Sequence, residues 1–424
     1  MGDNFSIDDE SFGFHAPEIT VVDPSALIAQ LNAVVNNPNA LKGADAAQRA
    51  EIQRLSRAAS RTLEQPFDTM MRIMYSLIVA VNSRMKPLQL VATRIGQDHN
   101  IFPTLAASHD PISLAALSEA TRLNTIVLES VLDYLCTQGM ARQVTPERYM
   151  ATKLTHYLDE PLLRSTTIHF HNAVLPGFAA LNNTLKDPNT TRTAFQNSFD
   201  TDLTYYQWAE THPLEKNAFH HFMEEHIANL PHWLDAFDFR DEFGAGLTDD
   251  DVAFVDIGGS IGHQCEALRR RHPNLKGRVI LQDLPDVIEN ALPVPGMEKM
   301  SHNYLEEQPI KGARVYYLRQ ILHNNNDDTC VQILQSILPA MQDDHGSVIA
   351  IDDKVLPNND DRPDPDSPGV EYHTGLSLAM LMFFNAQERR EAHWRRLLAR
   401  AGLAVREIRK FSATDDAVII AVKA

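Results

Sequence analysis

The residues of this chain best suited to ligand chemistry are two acidic residues that flank a glycine-rich segment. Residues 254–263 read FVDIGGSIGH, an apolar stretch that ends at Asp256 and continues into a turn with three glycines, Gly258, Gly259 and Gly262. Glycine lets the backbone turn tightly and lets a ligand approach without interference from a Cβ atom. A second apolar stretch ends at Asp283, 21 residues after Gly262. A spacing of about 20 residues places a carboxylate on ribose hydroxyls in a nucleotide-binding βαβ unit. The pattern therefore predicts a site for a nucleoside-bearing cofactor.

The same turn indicates which cofactor is expected. A dinucleotide fingerprint requires glycine at the first, third and sixth positions of its loop. Counted from Gly258, those positions hold Gly258, Ser260 and His263, so the NAD pattern is not met. An acidic strand end followed by Gly-Gly-x-x-Gly suits a ligand without phosphate, and S-adenosylmethionine is the obvious candidate. The alternative is a strand–turn–helix with no ligand, which the second acid at the right spacing disfavours.

Composition limits the class of protein and its partners. A chain of 424 residues is long enough for two or three domains, and its 44% hydrophobic content is ordinary for a globular protein. The formal net charge of −18 argues against nucleic acid and anionic membranes as partners, because both require a basic face. A small molecule is the expected partner.

Cysteine and histidine usage gives no sign of a metal site. The three cysteines are far apart, and no histidine pair has zinc-site spacing beside a carboxylate, so no metal is predicted. Residues 1–23 are polar and acidic, and they are expected to be disordered, with no signal peptide. No apolar run is long enough to cross a bilayer, and a cytoplasmic location is therefore expected.

Residues 24–160 are predicted to form a helical and winged-helix domain. Two helices are expected within residues 24–65, and a mostly helical segment is expected over Phe67–Gly96. A short helix over Ser113–Ala120, a longer helix capped by Asn124, and two strands over Ala141–Val144 and Arg148–Ala151 then form the winged-helix pattern. The longer helix has no Lys or Arg, so phosphate contacts are not expected. A structural or dimerisation role is predicted instead.

The rest of the chain is predicted to form a helical region and an α/β domain. Residues 161–245 form the helical region, whose aromatic side chains could line a substrate pocket. Residues 246–424 alternate strands with helices, the strands being Ala253–Ile257, Arg278–Leu281, Ala313–Leu318, Ser347–Asp352, Val405–Lys410 and Ala417–Val422. The last two strands have no helix between them, so an antiparallel hairpin should end an otherwise parallel sheet. The acidic, proline-rich stretch Asn358–Pro368 is expected to be a surface loop or lid.

Five ordered motifs resemble one enzyme family. They are VDIGGSIGH at 255–263, LQDLP at 281–285, YYLRQILHNNNDD at 316–328, IAIDDKVLP at 349–357 and NAQERREAHWRRLLARAGL at 385–403. Over roughly residues 65–424 the chain resembles the fungal small-molecule O-methyltransferases, which are similar to plant caffeic-acid-type enzymes. The resemblance implies a Rossmann-like methyltransferase domain that binds S-adenosylmethionine, preceded by a winged-helix module through which two copies form a homodimer.

The resemblance also assigns roles to residues. It implies cofactor contacts at eight positions, Asp256, Gly258, Gly259, Asp283, Leu284, Asn303, Tyr304 and Arg319. It places the catalytic base at His323, supported by Asp353 and Glu388. Asp352 is the alternative to Asp353, because a shift of one residue would exchange their roles. Without the resemblance, His323 could be a capping or surface histidine, and Glu388 a solvated charge.

These roles fit methyl transfer to oxygen. The reaction is an in-line displacement, so much of the rate comes from holding the acceptor oxygen against the methyl carbon. A phenol or enol is a weak nucleophile until its proton is removed. An imidazole with a pKa near ~6.5 suits that task when a carboxylate holds its other nitrogen.

Departures from the family pattern leave other reactions open. The family usually has His-Asp-Trp-x-Asp at the base, whereas this chain has three asparagines between His323 and Asp327. Asn303 stands where Asp is common, and Ser260 replaces a frequent Gly. The second hypothesis is a dehydration or pericyclic ring closure without methyl transfer, in which Arg319, His323 and a further histidine bind a carbonyl, the candidates being His156, His169 and His171. The third is a non-catalytic dimeric scaffold.

Overall fold

The chain divides into two compact units, and the boundary in the sequence lies between Gln65 and Pro66. The computed structural model describes residues 23–37, 41–63, 86–228, 232–342, 346–361, 370–412 and 415–424. No helix among these residues is both long and apolar enough to cross a membrane. The disorder predicted for residues 1–23 and most of the predicted segment Phe67–Gly96 lie outside the described residues, as does the second half of the expected lid.

The first unit contains the two predicted helices, Pro24–Asn36 and Ala46–Leu63. Asp23 caps the first helix, since its Oδ1 accepts the N–H of Ser25 at 2.9 Å. A reciprocal pair precedes the second: the N–H of Gln48 donates to Asp45 Oδ1, and the N–H of Asp45 donates to Gln48 Oε1. Both helices therefore begin at the polar residues that satisfy their free N–H groups.

The first half of the second unit is helical and surrounds one apolar core. Its helices are Lys86–Asp98, Ile101–Ala106, Leu114–Thr121, Thr125–Thr137, Lys153–Leu158, Pro161–His169, Leu175–Thr184, Ala194–Phe199, Tyr205–Glu210, Pro213–Ala228 and Phe239–Glu242, with a π-helix at Phe170–Val174 and a 3₁₀ turn at Trp233–Asp235. The core extends from Leu90 to Phe222 and includes Met382 and Phe383 from a late helix. The predicted boundary at residue 160 is not marked by a break in this core and stays a prediction.

The predicted helix–helix–hairpin order is present in the described residues. Ser113 Oγ and Asn124 Oδ1 cap their helices by accepting the N–H groups of Ala116 and Val127. Strands β1 (Ile112–Ser113), β2 (Arg142–Thr145) and β3 (Arg148–Met150) form a small antiparallel sheet in the order β1-β3-β2. The role of this arrangement in dimerisation stays a prediction.

The second half of the unit is built on a mixed sheet. Its strands are β4 (Val252–Ile257), β5 (Arg278–Asp283), β6 (Met297–Ser301), β7 (Val315–Arg319), β8 (Val348–Leu356), β9 (Arg389–Arg390), β10 (Leu403–Lys410) and β11 (Asp416–Lys423). The order is β10-β11-β8-β7-β4-β5-β6, with β9 paired to β8. Strands β4 to β8 are parallel to one another, and β10 and β11 form the predicted antiparallel hairpin. The predicted α/β class and hairpin ending are confirmed.

Two strands of this sheet were missed by the sequence patterns, as was the short β1 of the small sheet. Strand β6, with sequence MEKMS, lies at the sheet edge and is partly exposed, so it lacks an apolar run. Strand β9 has two residues. The predicted end of β8 at Asp352 was wrong, because the strand continues to Leu356 with every residue buried.

Helices cover both faces of the sheet. One face packs under Asp327–Ile337 and Glu391–Arg400, and the other packs under His263–Arg271 and the segment from Trp233 to Phe243. Short helices at Pro285–Ile288, Leu322–Asn324 and Asn359–Asp361 follow strands, a 3₁₀ turn at Leu338–Ala340 follows the helix Asp327–Ile337, and Val370–Phe384 lies between β8 and β9. The carboxyl ends of the parallel strands therefore meet at one edge, where open α/β sheets bind ligands.

Candidate active site

The glycine-rich turn after β4 has the conformation that its sequence predicts. Gly258 and Gly262 have φ angles of 68° and 99°, in the left-handed region that favours glycine. A Cβ atom on Gly259 would overlap the carboxyl group of Asp256, and one on Gly258 would lie 2.7 Å from Ile321 Cδ1. The turn therefore leaves no room for side chains at these positions.

Two carboxylates lie at the tips of neighbouring strands beside this turn. Asp256 is buried; its Oδ1 has no hydrogen-bond partner among the described residues, and burial raises its pKa to about 7. Asp283 accepts the N–H of Ser260 at 2.8 Å and that of Leu284 at 2.7 Å. Burial raises the pKa of Asp283, although these two hydrogen bonds oppose the shift. The predicted pair of strand-tip carboxylates is therefore present at one edge.

Arg319 and Asp352 form a buried ion pair on the same face of the sheet. Arg319 Nε lies 3.4 Å from Asp352 Oδ2, which also accepts the hydroxyl of Tyr317 at 2.5 Å. Burial raises the pKa of Asp352, and the charge of Arg319 opposes this effect. Asp352 thus faces Arg319, while its neighbour Asp353 lies beside His323.

His323 is buried between two carboxylates on the opposite face. Its Nδ1 lies 2.8 Å from Glu388 Oε1, within hydrogen-bond distance, and 3.8 Å from Asp353 Oδ1. Burial alone would lower the pKa of His323, but the charges of Asp353 and Glu388 outweigh it and raise the pKa. Burial raises the pKa of Asp353. The geometry presents an imidazole held at Nδ1, with Nε2 left for a reacting group.

The cluster also has the composition of a cation site, which the spacing in the sequence did not reveal. The donor atoms of His323, Asp353 and Glu388 lie within 4.8 Å of one another. Nδ1 of His323 and Oε1 of Glu388 already satisfy each other through the 2.8 Å hydrogen bond. We therefore treat the cluster first as a site of proton transfer.

Arg389 positions the turn that contains His323 and was missed by the sequence patterns. Its guanidinium group is fully buried and donates to the carbonyls of Leu322 and Asn325, both at 2.8 Å, and to Asp327 Oδ1 at 3.0 Å. These carbonyls lie on either side of His323. The run Glu-Arg-Arg-Glu at 388–391 looks solvated in sequence, and nothing in its immediate neighbours indicates that Glu388 and Arg389 are buried.

The remaining predicted cofactor residues lie near the same edge. Tyr304 lies beside Gly258, since a Cβ atom on that glycine would be 3.7 Å from Tyr304 Cδ1. Leu284 is exposed. Asn303 Oδ1 accepts the N–H of Leu305 at 3.1 Å, so part of its polar capacity is used locally.

The three histidines considered for carbonyl binding have different surroundings. His156 is exposed, and His171 contacts Asn172 Oδ1 at 2.9 Å. His169 is buried among aromatic rings and lies 3.2 Å from the hydroxyl of Tyr205. Burial lowers the pKa of His169 to about 3, so this ring is neutral.

The helical region approaches the turn of His323 through Tyr206. Asn324 Nδ2 donates to the hydroxyl of Tyr206 at 3.4 Å. The ring of Tyr206 stacks on Phe384, with centroids 5.6 Å apart. Most of the side chains that were expected to line a pocket belong instead to the helical core: Phe170, Phe178, Tyr205, Trp208, Phe219, Phe222 and Met223.

The strand order and the acidic glycine-rich edge together define a Rossmann-like fold of the methyltransferase type. The profile of the O-methyltransferase domain family matches residues 178–404, and the chain belongs to this S-adenosylmethionine-dependent family. The predicted family resemblance is confirmed.

Individual relatives agree with this assignment. Demethylsterigmatocystin 6-O-methyltransferase of Aspergillus parasiticus is 32% identical over 343 residues, which are 79% of this chain and 86% of that protein. The structure of LepI in complex with SAM is 30% identical, with a TM-score of 0.69, and the match covers 95% of this chain and 100% of LepI. A structure described as a pericyclic reaction enzyme has a TM-score of 0.68 at 30% identity, over 94% and 100% of the two chains.

Replacing Arg389 by methionine should destabilise the protein. The change leaves two carbonyls and Asp327 without their buried donor, so the free energy of unfolding should fall by about 3 kcal/mol. Urea unfolding measures this difference when the denaturant slope is unchanged. The control is Arg395→Met, which removes an exposed pair with Glu391 and should cost less than ~0.5 kcal/mol. Equal losses in the two variants would contradict the positioning role.

Divalent cations should not stabilise the protein through the His323 cluster. The midpoint of thermal unfolding should be the same with EDTA as with added Mg²⁺ or Zn²⁺, because an ion bound only by the folded state would raise it. A cation-dependent rise that disappears in Glu388→Gln would instead show that the cluster binds metal.

Proposed function

We propose that this protein transfers a methyl group from S-adenosylmethionine to a phenol or enol oxygen of an aromatic or polyketide-type metabolite, with His323 as the general base. The observation that supports this most directly is the buried His323–Glu388 hydrogen bond of 2.8 Å at the sheet edge that contains Asp256 and Asp283. Action as a cytoplasmic homodimer, through residues 24–160, is part of the proposal.

The residues at the acidic edge fit the cofactor. Asp283, whose oxygens are held by two backbone N–H groups, suits hydrogen bonds from ribose hydroxyls. Asp256 has a buried acceptor atom without a protein partner. Tyr304 supplies an aromatic side chain beside the glycine turn, where the related family uses a tryptophan after its base. When bound, the cofactor supplies an electrophilic methyl group.

The protein's contribution to the reaction is proton transfer and positioning. Glu388 holds the proton on Nδ1 of His323, so Nε2 of the neutral ring can take the proton of the substrate hydroxyl. The imidazolium formed in this way lies between Glu388 and Asp353 and is stabilised by their charges. Positioned general bases contribute roughly 10²–10⁴-fold to rate.

A second candidate function uses the protonated form of the same histidine. The raised pKa of His323 favours an imidazolium near neutral pH, which can donate a hydrogen bond to a substrate carbonyl. Arg319 offers a second cation at the same edge. Together with the 30% identity to a pericyclic reaction enzyme, this supports a dehydration or pericyclic closure as the alternative reaction.

Labelled cofactor distinguishes the two reactions. The purified protein is incubated with methyl-labelled S-adenosylmethionine and candidate phenols or enols, and products are analysed by mass spectrometry. A labelled product that is one methyl group heavier supports methyl transfer. A product of unchanged mass, or one that has lost water, with the cofactor recovered intact, supports the alternative.

Replacing His323 by alanine should reduce methyl transfer by about 10²–10⁴-fold, because the base is lost. Cofactor affinity, measured by calorimetry, should change little, since His323 lies on the face opposite Asp256 and Arg319. His109→Ala, at an exposed position, is the control and should keep full activity. Loss of cofactor binding in His323→Ala would show that the histidine is structural.

The pH dependence separates a base from an acid. For methyl transfer, kcat/KM should rise with pH through the pKa of His323, above the ordinary value of ~6.5, because only the neutral ring accepts a proton. Glu388→Gln removes a negative charge that favours the imidazolium, so the rise should move to lower pH. Glu391→Gln, at a distant surface pair, should leave the profile in place.

The opposite profile has a definite meaning. Activity that falls as pH rises through the same range would show that the imidazolium is the active form, as in the pericyclic or dehydration reaction. A profile that does not move in Glu388→Gln would contradict any role of the His323–Glu388 pair in proton transfer.

A further inference from the structure

Two side chains on one face of the sheet present buried hydrogen-bond donors without acceptors. They are Nε and Nη1 of Arg319 and Nε2 of His232, and none makes a hydrogen bond of good geometry among the described residues, although the side chain of Gln264 interacts with the His232 ring. The ion pair between Arg319 and Asp352 balances charge at 3.4 Å but does not satisfy these donors. Unsatisfied buried donors are costly, so a ligand acceptor is the natural explanation for them.

The tautomer of His232 follows from its own hydrogen bond. The N–H of Leu234 donates to His232 Nδ1 at 3.2 Å, so Nδ1 acts as an acceptor and the ring proton lies on Nε2. Burial, assisted by the charge of Arg319, lowers the pKa of His232 to about 4. The ring is therefore neutral near pH 7, and its Nε2–H is a fixed donor.

Contacts place His232 beside the glycine turn. It caps the 3₁₀ turn that begins at Trp233, whose indole N–H donates to Gln264 Oε1 at 2.9 Å. Gln264 is the second residue of the helix that follows the turn. The side chain of Gln264 also interacts with the His232 ring, which places that ring at the amino end of this helix.

A second set of contacts connects His232 with Arg319. The ring of Trp233 lies 4.7 Å from that of Tyr317, whose hydroxyl donates to Asp352. Asp352 is the ion-pair partner of Arg319. His232 and Arg319 therefore belong to one packed group of side chains at the carboxyl edge of the sheet.

The polarity of the unsatisfied atoms indicates the ligand. Donors on a guanidinium and an imidazole suit a carboxylate, whose two oxygens accept several hydrogen bonds. Asp256 Oδ1, on the same sheet face, is an unsatisfied acceptor that suits an ammonium group. An acceptor for ammonium together with donors for carboxylate corresponds to the two charged groups of an α-amino acid.

We infer that His232, with Arg319, binds the carboxylate of an amino-acid moiety, which in S-adenosylmethionine is the methionyl end. The inference rests on the cofactor binding proposed above and adds His232 to the residues that select the cofactor. A nucleoside that lacks the amino-acid group would make no use of this subsite.

The test compares two ligands by calorimetry on the full-length protein. S-adenosylhomocysteine contains the amino-acid group, and 5′-methylthioadenosine lacks it. His232→Phe keeps a ring of similar shape but removes the Nε2–H donor. It should weaken S-adenosylhomocysteine about tenfold, the effect of one hydrogen bond to a charged group, and leave 5′-methylthioadenosine unchanged. His232→Gln, which can donate from its amide, should recover part of the loss.

Controls separate this inference from the proposed function. His272 also has a buried, unsatisfied Nε2, but it follows the far end of the helix at residues 263–271, so His272→Phe should bind both ligands as the wild type does. Equal weakening of both ligands in His232→Phe, or no weakening, would overturn the subsite while leaving cofactor binding intact. If the wild type binds neither ligand, the proposed function fails as well. Unfolding midpoints identify any variant that is simply destabilised.

Discussion

The pleat of β8 is the constraint on which the site depends. Successive side chains of a strand point to opposite faces, so the adjacent acids Asp352 and Asp353 cannot serve one partner. Asp352 shares its face with Val348 and Ala350 and pairs with Arg319, whereas Asp353 shares its face with Ile349 and Ile351 and lies beside His323. One strand thus contributes to the proposed cofactor group with Asp352 and to the proposed proton group with Asp353, both near the carboxyl edge of the sheet.

Charge compensation makes this arrangement possible in a buried strand. Asp352, Asp353 and Lys354 are consecutive and all buried, and a buried charge without a partner would be costly. Each has a partner from another element. Asp352 pairs with Arg319, Asp353 lies beside His323, and Lys354 Nζ lies 2.9 Å from Asp416 Oδ1. Replacing such pairs with apolar residues often costs nothing in stability, so their presence is not explained by stability alone.

Much of the fold could be predicted from the sequence, because the informative signals are local. Apolar runs predicted most strands, the cap at Asn124 predicted a helix start, and the glycine turn with Asp256 and Asp283 predicted the cofactor edge. Signals failed where burial depends on distant partners. The predicted end of β8 at Asp352 was too early, because Asp416 and His323 are partners for the charged residues of the strand and allow it to continue. Arg389 is buried only because it donates to carbonyls of residues 322–325. No sequence pattern pointed to His232, because its Nε2–H donor becomes significant only beside Arg319.

The three asparagines after His323 show how the turn differs electrostatically from the related family. Asn326 caps the following helix by accepting the N–H of Thr329, and Asn325 and Asn324 donate to the carbonyls of Ile321 and Gln320. The amides therefore maintain the turn without adding charge, where the family usually has an acid directly after the base. Only Asp353 and Glu388 then raise the pKa of His323, and burial opposes them. With one fewer neighbouring anion, the pKa of this base is raised less than it would be beside an added acid. The neutral ring can accept a proton from a hydroxyl and the imidazolium can donate one to a carbonyl, so in these proposals the choice between methyl transfer and ring closure rests on the substrate that the helical region admits.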